Sequence, residues 1–295
     1  MAFKKVEFDG HEAIEVKTQG LRMVIVTDVG PRIAWLSLPD GENLLFWDYE
    51  RALSRGEWSL RGGHRVWCAT SLADESEDTY APDNGPCTVA ESADSITITG
   101  ALNEGNRTRR GITVTVVDAE TVSVENFVTN AGPMLYGTSL WALTCTLPAD
   151  GTRYFVPLGD GSDWDYTQIT SFRCWAGVEG GLADDQFTTT EELFTIEPKG
   201  RVNKRMLMAQ RGLQVMADPA RACTFCKQTP YDANRAFQYP LGTNMAFYVG
   251  EKNFMVEMES MAPAETIKPG DTARHVETWR LLPRVVAMDD WASLI

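Results

Sequence analysis

Ile112-Thr113-Val114-Thr115-Val116-Val117, Asp118-Ala119-Glu120, Thr121-Val122-Ser123-Val124-Glu125-Asn126-Phe127-Val128 is the stretch that decides the fold. Both outer segments alternate with period two, and successive side chains of a strand point to opposite faces. The polar triplet between them reads as a hairpin turn. In the second arm Ser123, Glu125 and Phe127 share the face opposite Val122, Val124 and Val128, so Glu125 sits on the wetter side or on a polar concave face. A helix would need apolar residues three and four apart, and this stretch has them two apart.

The same rhythm extends outward. Residues 21–29, 31–38, 43–47, 95–100, 138–147, 213–217, 222–227 and 246–249 are rich in β-branched, aromatic and other apolar residues, and Gly, Pro, Asp and Asn separate them. Few windows carry a helical period. The reading is all-β: two large, mostly antiparallel sheets packed face to face, with little helix. With 295 residues, no repeat and no linker, residues 1–295 are expected to form one domain.

Composition limits the partners. A net charge of −14 repels nucleic-acid phosphates and anionic membrane surfaces, and the basic residues form no stripe. No run approaches the ~18 apolar residues of a membrane span, and the first ten residues lack the apolar core of a signal peptide, so a cytoplasmic protein is expected. Cys223-Thr224-Phe225-Cys226 lacks the second ligand pair of a zinc site, and on a strand its two sulfurs would face opposite ways. No metal and no cofactor is expected.

Three segments carry candidate chemistry. Arg61-Gly62-Gly63-His64-Arg65-Val66-Trp67 sets two cations, an imidazole and an indole around two glycines, which permit tight turns and close approach. Tyr80-Ala81-Pro82-Asp83-Asn84-Gly85-Pro86 holds Asp83 and Asn84 between rigid prolines, with Tyr80 just before the first. Asn253-Phe254-Met255-Val256-Glu257-Met258-Glu259-Ser260 places Glu257 and Glu259 on one face of a strand, about 7 Å apart. At an effective dielectric near 20 they repel by about 2 kcal/mol, enough to raise one pKa by more than a unit and leave a base near neutral pH. In the last strand His275, Glu277, Trp279 and Leu281 share a face, which reads as a paired surface ladder. Residues 159–166 set aromatics beside carboxylates, which suits a sugar as well as an ordinary capped surface loop, and the loop is the preferred reading.

Several of these segments carry a resemblance. Trp58-Ser59-Leu60-Arg61-Gly62-Gly63 resembles the Arg-Gly-Gly segment of sugar-phosphate mutarotases, and Met255-Val256-Glu257 their late strand bearing the catalytic base. Gly30-Pro31-Arg32-Ile33, Thr129-Asn130 and Pro269-Gly270 fall in the same order. The chain thus resembles the galactose mutarotase-like (aldose 1-epimerase-like) superfamily. This implies a large antiparallel β-supersandwich whose concave face binds a small-molecule carbohydrate. It also implies Glu257 as the base, with Glu259 a near alternative, and puts Arg61 and His64 in the substrate-binding segment; His64 is the candidate acid or substrate orienter of this chain. Arg61, Arg65, Trp67, Tyr80, Asp83, Asn84, Glu259 and Trp141 fall to substrate binding. The chain departs from the pattern where the family carries its acid histidine: Ser139-Leu140-Trp141-Ala142-Leu143-Thr144 has none. An epimerase-like enzyme, a noncatalytic sugar-binding protein and a lyase or isomerase of uronic or keto sugars all fit. In the last, Arg61 and Arg65 would neutralise a substrate carboxylate.

Overall fold

A computed structural model describes residues 2–55, 58–69, 84–158, 168–171 and 179–295. Among these, the strands form an 11-stranded sheet, a 10-stranded sheet and a two-stranded pair, and every strand pairing is antiparallel. The first sheet runs Ala2–Phe8, His11–Lys17, Arg22–Val26, Arg32–Ser37, Gly63–Ala69, Tyr136–Thr146, Val256–Met261, Met245–Val249, Asn203–Leu207 and Ile169–Ser171, with Glu265–Ile267 beside Tyr136–Thr146. The second runs Phe187–Thr189, Leu193–Ile196, Arg153–Pro157, Leu213–Asp218, Cys223–Gln228, Thr272–Leu282, Thr121–Asn130, Thr108–Val116, Ser95–Thr99 and Thr88–Glu91. Helix among the described residues is limited to short 3-10 turns such as Ala233–Gln238 and Met288–Leu294.

The deciding hairpin forms as read. Thr108–Val116 and Thr121–Asn130 pair from Val116 opposite Val122 to Thr108 opposite Asn130. Ile112, Val114, Val122 and Val124 enter the main core, where they meet Ile14, Val16, Met23, Ile25 and Ile33 of the first sheet. Alternation therefore supplies the sandwich, because each sheet turns one apolar face inward. On the other face of the second sheet, Glu125 pairs with Arg274.

Two readings change. Residues 43–47 form isolated bridges instead of a strand, with Leu45 opposite Thr146 and Trp47 opposite Gly62. The Asn43 side chain bonds to backbone groups of Ala34, Leu36 and Leu45, holding the chain in a turn. The face shared by His275, Glu277 and Trp279 is no surface ladder, since all three lie buried between the sheets. Cys223 and Cys226 do face opposite ways, into separate apolar clusters.

Candidate functional site

Three central strands of the first sheet carry the candidate residues in aligned rows. Gly63 lies opposite Cys145, which lies opposite Glu257; Arg65, Leu143 and Glu259 form the next row, and Trp67, Trp141 and Met261 the third. Rows two residues apart share a face, here the one turned away from the second sheet. Val256 and Met258 point the other way, into the main core.

The two glutamates have different surroundings. Glu259 is fully buried, and Trp141 Nε1 donates to its Oε2 at 2.6 Å. The Lys204 ammonium lies 3.0 Å from both of its oxygens and 5.0 Å from the Trp141 ring centre. These contacts fix the Glu259 carboxyl group in place. Glu257 is 7% exposed, and the Cys145 thiol donates to its Oε1 at 3.5 Å. Burial and then the charge of Glu259 push the Glu257 carboxyl up to about 7, against the pull of Lys204 and Arg65. One carboxylate is thus fixed, and its neighbour is poised to exchange a proton near neutrality.

Around this polar group the face is apolar and aromatic. Leu60, Cys145 and Met255 pack with Phe46, Tyr248 and Phe254 on one side, and Met206, Ala246 and Met261 pack with Trp141 on the other. The Arg65 guanidinium stacks 4.6 Å from the Trp67 ring centre. Arg65, Trp67, Trp141, Glu257 and Glu259 are therefore brought together.

His64 is not with them. It lies opposite Thr144, one residue before the Cys145 that pairs with Glu257, so its side chain points into the space between the sheets. It is fully buried. Its Nε2 bonds Asn126 Oδ1 of the second sheet at 2.9 Å, its Nδ1 bonds Thr144 Oγ1 at 2.8 Å, and Trp279 meets it edge to face at 4.8 Å. Because Asn126 Oδ1 accepts, Nε2 carries the proton and Nδ1 accepts from the Thr144 hydroxyl. Burial outweighs nearby Glu277 and brings the imidazole down to about 4, leaving it neutral at pH 7. The pairing of His64 as acid with Glu257 as base is thus corrected: the two side chains occupy opposite faces of one sheet.

That interior is a connected polar network. Lys227 Nζ donates to Thr144 Oγ1 at 2.9 Å and to the Met258 carbonyl at 2.7 Å, and pairs with Glu277 at 2.9 Å. Trp279 Nε1 donates to Glu277 at 2.9 Å, and Ser260 joins Glu277 to His275. The network lies directly behind the glutamate strand and fixes its height against the second sheet.

Arg61 forms a separate cluster. Its backbone is left-handed, with φ 52°, and Gly62 and Gly63 follow at 87° and 70°. A Cβ on Gly62 would stand 2.2 Å from the Phe46 carbonyl oxygen, and one on Gly63 2.3 Å from that of Ile33, so close backbone approach requires both glycines. The turn sends Arg61 Nε to Asn84 Oδ1 at 2.9 Å and its NH1 to His11 Nε2 at 3.1 Å. Arg51 reaches the same imidazole nitrogen at 3.1 Å, while His11 Nδ1 faces Asp28 at 3.1 Å. Arg61 and Asn84 are thus together, with a histidine to which the sequence assigned no role. Tyr80, Asp83 and residues 159–166 lie outside the described residues. Lys204 and Cys145 are the site residues that sequence reading missed. Alternation in Asn203–Leu207, with Met206 two positions on, is the signal that could have placed Lys204.

No family model matches the chain, and no curated protein matches it by sequence. Solved structures do match. A galactose mutarotase-like protein from Lactobacillus casei superposes with a TM-score of 0.63 at 13% identity, over 91% of this chain and 99% of that one. A galactose mutarotase-like protein from Clostridium acetobutylicum gives 0.57 at 10% identity, over 95% and 98%. A candidate aldose 1-epimerase from Escherichia coli K12 gives 0.55 at 13% identity, over 91% and 98%. The chain has the galactose mutarotase-like fold. Trp141, Leu143 and Cys145 occupy the face beside the glutamates on the strand where the resemblance implies an acid histidine. No helix among the described residues is long and apolar enough to cross a membrane.

Proposed function

We propose that the protein interconverts the anomers of a sugar or sugar derivative, with Glu257 as the general base. The observation that carries this reading is the contrast between two glutamates on one strand: Glu259 is tied to Lys204 and Trp141, while Glu257 keeps a carboxyl that exchanges its proton at about pH 7. A base is most effective when its pKa lies near the working pH. Trp67, Trp141 and the flanking apolar clusters suit the C–H faces of a pyranose, and Arg65 suits its hydroxyls. The mutarotase-like fold supports a carbohydrate ligand.

A second reading is a noncatalytic sugar-binding protein on the same face. It is favoured by the placement of the histidines: His64 and His275 lie between the sheets, and His11 is bonded to Asp28 and two arginines. The lyase reading loses support because Arg61, one of its two proposed carboxylate ligands, is engaged with Asn84 and His11. Polarimetry or proton NMR of anomer interconversion across a sugar panel, run beside equilibrium binding, separates the readings. Catalysis lost in Glu257→Gln supports the enzyme, and binding without any interconversion supports the binder.

A further inference from the structure

Opening a cyclic hemiacetal needs two groups. A base takes the proton of the anomeric hydroxyl, and an acid supplies one to the ring oxygen as the C–O bond breaks. The base proposed above is Glu257, and all three histidines of the chain are placed away from it.

Among the described residues, the groups that surround Glu257 narrow the choice of acid, with the Tyr248 phenol, directly opposite Glu257, as the alternative that the test separates from Lys204. Arg65 keeps its proton at any accessible pH. The Cys145 thiol is directed at Glu257 itself, and burial raises it well above the usual thiol range. The indole of Trp141 is a donor that does not ionise, and it is engaged by Glu259. Lys204 shares the contact with Glu259, but unlike the indole and the guanidinium it carries protons of a kind that transfers. It lies opposite Tyr248, which lies opposite Glu257, so two strand spacings of about 4.8 Å put the Lys204 and Glu257 backbones roughly 10 Å apart on one face. Tyr248 stands between them on that face, and a pyranose laid across it would meet Glu257 at one end and Lys204 at the other. The ammonium has three protons in rotatable directions, and Glu259 and the Trp141 ring fix its position from one side.

We propose that Lys204 is the acid that partners Glu257, with Glu259 and Trp141 as the residues that position it. This rests on the mutarotase reading. In the step, Glu257 takes the proton from O1 and the freed electron pair forms the C1=O1 carbonyl. The C1–O5 bond breaks, its pair leaves on O5, and O5 takes a proton from Lys204. Rotation about C1–C2 presents the other carbonyl face, and the reverse transfers close the ring and restore both side chains.

The test uses the full chain and whichever panel sugar the wild type interconverts fastest. Lys204→Arg keeps the charge against Glu259 and the contact with Trp141, but a guanidinium does not give up its proton. The expected result is a kcat lowered by about 10²–10⁴-fold, with KM and melting temperature close to wild type. In Lys204→Ala, added methylammonium should restore part of the rate with saturation. A purely structural Lys204 gives the opposite: Lys204→Arg stays near wild-type kcat, or a folded Lys204→Ala shows no rescue, and either outcome overturns the assignment. If Lys204→Ala does not fold, the Lys204→Arg kinetics decide alone. If the wild type is inactive across the panel, or Glu257→Gln is fully active, the mutarotase reading falls and the acid role falls with it.

Discussion

His64 and Glu257 project from opposite faces of the same sheet, because His64 is in register with Thr144 while Glu257 is in register with Cys145, the next residue along. A one-residue difference in register is enough to move a side chain from the outer face of a sheet to the interior. The glycine-rich segment therefore contributes Arg65 and Trp67 to the site, and its histidine to the core.

From this it follows that His64 matters to stability and not to chemistry. His64→Gln should cost about 1–3 kcal/mol in urea unfolding, since it disturbs a buried bond to Asn126 and the packing on Trp279. The folded imidazole titrates at about 4 and the unfolded one at 6.5. The unfolded chain thus binds more protons between these values, and stability is lost as pH falls through that window. His64→Gln should flatten part of this acid slope while leaving interconversion per folded molecule near the wild-type rate. A folded His64→Gln protein without activity would return His64 to the mechanism.

Glu257 predicts a slope of the opposite sign. Its carboxyl is raised to about 7 from 4.5, so the folded chain holds the extra proton between those values. The stability this adds is complete below 4.5 and is lost as pH rises through about 7. Glu257→Gln has no proton to lose. The stability difference should therefore move in favour of the variant, by at most about 1.4 kcal/mol per pH unit in that window. Urea unfolding of both proteins at several pH values measures it, and a flat difference means that Glu257 is ionised throughout.

Strand alternation was readable in the sequence, and so was the pairing of Glu257 with Glu259 on one face, because both are properties of a single segment. Relations between segments were not. Nothing in Gly63-His64-Arg65 says whether His64 or Arg65 faces inward; that is fixed by pairing with residues about eighty positions later. Glu277 and His275 read as a surface ladder because buried charge is normally costly, and their partner Lys227 arrives from a neighbouring strand and Ser260 from the opposite sheet. Lys204 was not singled out in the sequence, since its meaning depends on Glu259 and Trp141.

The end of the chain is central to the fold. Thr272–Leu282 pairs with both Thr121–Asn130 and Cys223–Gln228, and Trp279 is almost fully buried against His64 and Phe225. Truncation at Pro269 removes both ladders and splits the second sheet. Its product should be insoluble or lack a cooperative melt by circular dichroism. A soluble, cooperatively melting truncation would show this strand to be dispensable.

The central claim is that Glu257 works as a base beside a fixed Glu259, and the most direct measurement is anomer interconversion by the wild type and by Glu257→Gln, with sugar binding measured in parallel. The amide preserves shape and removes the base. The expected result is an interconversion rate lowered by about 10²–10⁴-fold with binding retained, and a wild-type rate that rises with pH through about 7 as the carboxyl ionises. A Glu257→Gln protein that interconverts anomers at the wild-type rate would contradict it.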